Sequence, residues 1–280
     1  MKRNSLRTWL IQGFRRVLIG RSREMTADML QRPAIFFSPH QDDETLGCGG
    51  TIIRKIAAGA DVRVVYMTDG HQSHKHLMAP EKLSEIRRCE ALAACSVLGV
   101  VESNVIFLDF PDGSLFGHLD SAVGRVRELL ENSAALDLFL PYSGEPTDDH
   151  KVTHAVLKKA LETQNRTYNV YEYPVWFWHH WPWVSLFQAD VHNRWFVMKN
   201  TLKALFGLAL LRFRSRVSVT AVCEQKSAAL NEHKSQMTQL INSPAWLTLH
   251  DVSTGEFLNN SLQDYELFYH YVYQPVEAAR

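Results

Sequence analysis

The stretch "FFSPHQDDETLGCGG", residues 36–50, decides the fold. An apolar run stops at Ser38, then His40, Asp42, Asp43 and Glu44 crowd into five positions, and a cluster of glycines follows at 47–50. Apolar residues in a short run, closed by polar ones and followed by helix-forming sequence, read as a buried strand feeding a helix. That much charge at the mouth of a buried strand marks a place where a ligand is handled.

Working outward, the same alternation repeats. After "AIFFS" (34–38) comes helix-like 43–59, then strand-like "DVRVVYMTDG" (61–70). The segment 80–99 opens with proline and closes with glycine, as helices do. "NVIFLDF" (104–110), helix-like 118–134, "LDLFLPY" (136–142), helix-like 149–164 and "TYNVYEYPVWF" (167–177) continue it. Strands that are apolar throughout, alternating with helices, predict an α/β fold: a Rossmann-like, mostly parallel sheet with helices on both faces. Beyond 177 the regularity fades. A helix-like stretch at 201–211, a strand-like one at 214–222 and a long helix at 223–241 are expected to form a C-terminal cap. The chain then divides into a basic N-terminal segment, 1–32, and one domain, 33–280, whose part 177–280 is the cap.

In such sheets ligands bind beyond the carboxyl ends of the strands. "SPHQDDE", "TDGHQSHKH", "DFPDG" and "SGEPTDDH" all stand at strand ends, so four polar clusters should share one rim.

Composition narrows the partners. Thirty basic residues balance thirty acidic ones over 280 positions, so no global field points to nucleic acid. Four cysteines without a CxxC pair fit a reducing cytoplasm and read as small packing residues. Between Lys2 and Arg23 lie seven basic residues and no acid, threaded with apolar ones. A helix packed on the domain's own flank is the favoured reading; peripheral contact with the inner face of a membrane is the alternative. No stretch is long and apolar enough for a membrane-spanning helix. In "WFWHHWPW" (176–183) the tryptophans read first as core and second as a sugar-stacking or lipid-facing surface.

The rim chemistry suggests a metal. His40 and Asp43, three apart on a turn, can address one point, and His150 on another strand end can supply the third ligand that catalytic zinc requires. Asp42 then stays free to take a proton from water activated by one zinc ion per chain. The competing reading makes Asp42 or Asp43 a helix N-cap; the density of acids beside His40 weighs for a cation. The loop histidines 71, 74 and 76 read as solvated rather than as a second metal site. The "GCGG" glycines do not fit a dinucleotide fingerprint, because three acids stand where a pyrophosphate would sit. They read instead as close contact between the first helix and the sheet.

In these residues the chain resembles the LmbE/PIG-L family of zinc-dependent N-acetylglucosaminyl deacetylases. "SPHQDDE" matches the family's (A/S)HPDDE with Gln41 for proline. "IRRCEALAACSVLG", "FLDFPDG", "TDDH" and "QKSAALNEHKSQ" match four later motifs in order. The resemblance implies His40, Asp43 and His150 as zinc ligands, Asp42 as general base, and Arg87 and Asp112 as sugar contacts. On residue type alone, Arg87 pairs with Glu90 along a helix and Asp112 is a turn residue. Asp149 is expected to orient the ligand set. Thr147 departs from the pattern, standing where many relatives carry a histidine; His233 and His154 are the candidate substitutes. The function this implies is hydrolysis of the acetyl group of an N-acetylated amino sugar, small or lipid-linked. A sugar- or partner-binding protein that keeps fold and metal is the alternative.

Overall fold

The computed structural model describes residues 2–186, 191–206 and 212–275. In chain order the elements are α1 (Lys2–Arg21), β1 (Arg23–Glu24), α2 (Ala27–Leu30), β2 (Ala34–Ser38), α3 (Asp43–Ala57), β3 (Val62–Thr68), α4 (Pro80–Leu98) and β4 (Val105–Phe110). Then follow α5 (Leu119–Glu131), β5 (Asp137–Pro141), α6 (Asp148–Leu161), β6 (Tyr168–Tyr173), α7 (Val191–Phe206) and β7 (Ser215–Ser218). The chain closes with α8 (Cys223–Glu232), α9 (Lys234–Met237), α10 (Glu256–Ser261) and β8 (Tyr265–Tyr273).

One eight-stranded sheet runs β1-β7-β8-β6-β5-β2-β3-β4. Within it β4, β3, β2, β5 and β6 are parallel neighbours. Counting these parallel strands along the chain gives the order 3-2-1-4-5. The direction of winding therefore reverses between β2 and β5, which is where such folds open their ligand crevice. Alternation along β2 explains the two layers: Ala34 and Phe36 pack with α3, α4 and α8, whereas Ile35 and Phe37 pack with α5 and α6. Cys48 and Cys95 lie in the first of these cores.

Close contact of α3 with the sheet requires its glycines. A Cβ on Gly47 would stand 2.4 Å from the Tyr173 ring, and one on Gly50 would stand 2.3 Å from Val219 Cγ1.

Three features differ from the sequence expectation. The region after 177 does more than cap, because β8 joins β6 antiparallel and β7 joins β8, extending the sheet. The helix expected at 223–241 is broken at His233, whose backbone (φ −76°, ψ 62°) leaves the helical region between α8 and α9. The helix expected at 201–211 starts ten residues earlier, at Val191; residues 207–211 of that expectation lie outside the described residues. At the other end of the chain, β1 pairs with β7. α1 lies against the domain: Leu18 is buried with Trp183 and Phe213, and Arg7 donates to Pro182 O (2.7 Å) and Trp183 O (3.0 Å). Among the described residues no helix is long and apolar enough to cross a membrane. Of the tryptophans in 176–183, Trp183 is core, Trp178 packs on it edge-on, and Trp176 faces the cleft described next.

Candidate active site

The turn after β2 is built around Ser38 and Glu44. Ser38 Oγ accepts from Glu44 N (3.0 Å) and donates to His40 O (2.7 Å), while Glu44 Oε2 accepts from Asp42 N (3.1 Å). This locks residue 42 at φ 135°, a left-handed-side conformation that costs a non-glycine residue of order 1–3 kcal/mol. Asp42 occupies the position before α3, yet its side chain makes no bond to the helix end. The N-cap reading of Asp42 therefore fails, and its carboxylate is left buried at the rim with Arg87 Nη2 3.5 Å away. Burial pushes that carboxyl up to about 7, against the pull of Arg87, with Asp43 and Glu44 adding repulsion.

Asp43 is the hub. Its Oδ2 accepts from His40 N (3.0 Å) and lies 3.1 Å from both His40 Nδ1 and His150 Nε2. One donor atom from each of the three side chains fits within a mutual span of 4.8 Å. Tetrahedral zinc with bonds of about 2.0–2.1 Å sets neighbouring ligand atoms about 3.3 Å apart. The spacing about Asp43 meets that requirement. Burial opposes charge on His150, but Asp43 and Glu145 outweigh it and lift the ring to about 9. Asp43 itself is held far below the usual carboxylate range: burial alone would raise it, but His150 and His40 more than compensate.

His150 tests whether the residues fit a metal. The side chain is fully buried, and each ring nitrogen faces a carboxylate oxygen, Asp43 Oδ2 at 3.1 Å and Glu145 Oε2 at 3.4 Å, without the alignment of a hydrogen bond. Buried imidazole nitrogens without an aligned partner are costly, and a cation between Nε2 and Asp43 would satisfy both. Each histidine also meets a carboxylate on its far side, as metal-bound histidines do. His40 Nε2 lies 3.2 Å from Asp112 Oδ1 and 3.4 Å from Asp149 Oδ2, and His150 Nδ1 lies 3.4 Å from Glu145 Oε2. The donor set fits zinc. A second grouping, His40 with Asp112 and Asp149, shares His40 with the first, and no third grouping occurs among the described residues.

The four strand-end loops are stitched together as their polarity suggests. Asp112 accepts from Gln72 N (2.9 Å) and its own N–H donates to Asp69 Oδ1 (3.1 Å). Asp149 accepts from Gly113 N (2.7 Å), tying the start of α6 to the loop after β4. Arg87 is buried, donates to Gly70 O (3.0 Å) and Gln41 O (2.5 Å), and does not pair with Glu90, which accepts from Ser235 instead. The helix-pair reading of Arg87 is thereby replaced by one in which it braces the turn that carries Asp42. Asp112 is more than a turn residue, since its carboxylate spans His40 and the Gln72 backbone.

Both candidate substitutes for the missing histidine are engaged by carboxylates. His154 Nε2 lies 2.9 Å from Glu172 Oε1, and His233 is buried with its Nε2 3.2 Å from Glu44 Oε1. Thr147, at the start of α6, faces the cleft with a hydroxyl that is buried and unbonded. The loop histidines do not converge either: His71 bonds Asp69 and His74 stacks on Trp246. Glu145 and the Glu44–His233 pair escaped the sequence reading. The signal for Glu145 was present, since an acid between Gly144 and Pro146 in a strand-end loop has little structural reason to be there.

An open cleft of about 400 Å³ stands over this floor, lined by His40, Asp42, Asp43, Arg87, Asp112 and Thr147. Fold and site together define an α/β protein with a histidine–carboxylate pocket at its switch point. Residues 35–161 match the family model described as PIG-L, GlcNAc-PI de-N-acetylase. The chain is 27% identical over 239 residues to a 1D-myo-inositol 2-acetamido-2-deoxy-α-D-glucopyranoside deacetylase of Mycobacterium sp. (strain KMS), covering 74% of this chain and 75% of that one. Its structure is similar to N,N'-diacetylchitobiose deacetylase from Pyrococcus horikoshii (TM-score 0.60, 19% identity, 86% and 84% of the chains). It is also similar to the 4-carboxy-2-hydroxymuconate hydratase GalB of Pseudomonas putida KT2440 (TM-score 0.51, 15% identity, 89% and 99%). At such identities the two structures establish the fold, and a fold shared by a deacetylase and a hydratase leaves the reaction to the site.

Proposed function

We propose that this chain is a zinc-dependent deacetylase that releases acetate and a free amine from an N-acetylated amino sugar. The observation that carries the reading is the convergence of His40, Asp43 and His150, drawn from both sides of the switch point, beside an Asp42 carboxylate that caps no helix and whose side-chain neighbour is Arg87. The relatives named as deacetylases of N-acetylglucosamine compounds support the substrate class.

Zinc held by His40, Asp43 and His150 would supply a water of lowered pKa and an electrophilic pull on the acetyl oxygen. Asp42 takes the proton from the attacking water and returns it to the sugar nitrogen as the C–N bond breaks. A carboxyl near neutrality suits both halves of that transfer. Arg87 keeps Asp42 in place through the Gln41 and Gly70 carbonyls. Asp112 and Asp149 orient His40, and Glu145 orients His150. Asp112 and Arg87, which line the cleft, are the residues assigned to sugar hydroxyls.

A binding protein that keeps the fold and metal is the second reading, favoured by Thr147 in the place of a catalytic imidazole. Metal analysis of the purified protein, with acetate and primary-amine release from N-acetylglucosamine glycosides, separates the two. One zinc per chain with release supports the enzyme, and zinc without release at any substrate supports the binding protein. His150→Ala should lose both zinc and activity; full zinc occupancy in that variant would overturn the ligand assignment.

A further inference from the structure

Away from the cleft, α7 shows two stripes at one spacing. Val197, Asn200 and Ala204 (i, i+3, i+7) are buried. The helix is tied down on that side: Asn200 Nδ2 donates to His179 O (3.4 Å), and Thr201 Oγ1 accepts from Trp181 N (2.9 Å). Trp195, Met198 and Leu202 repeat the spacing on the outer face, where they stand 65%, 38% and 49% exposed. A helix held by one face presents a fixed apolar stripe on the other. Contiguous exposed hydrocarbon of this kind marks a surface that another body covers.

The charge around the stripe selects the occupant. Arg194, Lys199 and Lys203 alternate with the apolar positions on the same exposed face, and α7 holds no acid. Lys203 also lines a recess of about 280 Å³ together with Lys151 and Arg212. The acid in that lining, Glu145, is spent on the N–H groups of Val175, Trp176 and Phe177. Lys151 shares its charge with Asp148 (2.8 Å), which leaves the recess cationic through Lys203 and Arg212. α1 packs on the same small core as α7, through Leu18 against the cluster that holds Ala204, and brings six bases and no acid, with Leu6 and Trp9 exposed. Over the whole chain thirty bases balance thirty acids, so this is local segregation of charge and not a global excess. A second copy docked face to face would set these cations against one another. Nucleic acid would match the charge but offers little apolar surface to Met198 and Leu202. An anionic bilayer matches both features, because lysines reach its phosphates while tryptophan and aliphatic side chains enter the interfacial layer.

We propose that the outer face of α7 docks this protein on an anionic lipid bilayer. Trp195, Met198 and Leu202 enter the interface, and Lys199, Lys203 and the recess beside them meet lipid phosphates. Docking of this kind is peripheral: the stripe is one face of a 16-residue helix whose other face stays in the core. It stands apart from the deacetylase reading, since it is measured on vesicles without any substrate.

The full chain is sedimented with vesicles of phosphatidylcholine alone and with vesicles in which about a third of the lipid is phosphatidylglycerol. Binding should favour the anionic vesicles and weaken as salt is raised. Lys199→Gln with Lys203→Gln should weaken it about five-fold per lysine removed. Trp195→Ser with Leu202→Ser should weaken it about ten-fold or more, the loss of two apolar side chains from the interface. Leu136→Ser, at an exposed apolar position before the amino end of β5, should change nothing. Binding to anionic vesicles that both pairs weaken and Leu136→Ser leaves intact supports the proposal. Absence of binding, or binding that Trp195→Ser with Leu202→Ser does not weaken, overturns it. A dimer in light scattering that the same pair dissociates assigns the face to a second copy and overturns it as well.

Discussion

Replacing Asp42 by asparagine should separate catalysis from stability in opposite directions. Asparagine tolerates the φ of 135° as well as aspartate does, keeps the volume, and touches none of the three ligand atoms. Loss of a general base removes about 10²–10⁴ from kcat, roughly 3–5 kcal/mol of barrier, with zinc content unchanged. Stability should move the other way. The folded chain holds a proton on Asp42 up to about pH 7, whereas the unfolded chain releases it near 3.8. Stability from this group is therefore full below pH 3.8 and falls as pH rises through 7. Three pKa units correspond to at most about 4 kcal/mol. Metal-free Asp42→Asn should thus exceed the metal-free parent in stability at pH 8, and the gap should close towards pH 4. Urea unfolding in chelator at the two pH values, beside steady-state acetate release, measures both effects. Activity within ten-fold of the parent would refute the base assignment. Loss of zinc would make Asp42 a ligand, and a gap that ignores pH would refute the buried-carboxyl argument.

Gly50→Ala should cost about 1–3 kcal/mol in urea midpoint stability, because its Cβ would meet Val219 Cγ1 at 2.3 Å in the core; Gly13→Ala, with nothing within 4 Å, should be neutral or stabilising. Thr147→His places an imidazole where the buried hydroxyl has no partner, and should raise kcat about ten-fold or more if a missing acid limits the reaction; an unchanged kcat sinks that explanation. Burial depresses His179 and His180 to about 4, so each stays neutral in the folded chain while the unfolded chain protonates near 6.5. Stability should be complete above pH 6.5 and fall by about 3 kcal/mol per histidine towards pH 4, and His180→Gln should weaken that slope in thermal unfolding across pH 4–7.

What the sequence made legible was whatever local periodicity encodes. "AIFFS" reads as a strand because a strand covered on both faces must be apolar at every position, and Phe36 and Phe37 do enter opposite cores. "SPHQDDE" and "TDDH" read as partners because a 3-2-1-4-5 sheet places the ends of its first and fourth strands side by side. Contacts made by irregular chain were not legible. β8 was missed because its partner β6 lies nearly a hundred residues away and breaks the parallel rule that the preceding pattern sets. The break at His233 was missed because nothing in "LNEHKSQ" forbids a helix; the side chain leaves it for Glu44, a partner 189 residues earlier. The same reasoning explains why the floor of the cleft could be read and its rim could not. Floor residues sit at strand ends, whose positions follow from the fold, whereas Leu247 on the rim owes its place to Trp246 binding Ser235 and His74. Chemistry fixed by secondary structure can be inferred from one sequence; a cleft wall fixed by loop-to-loop packing needs coordinates.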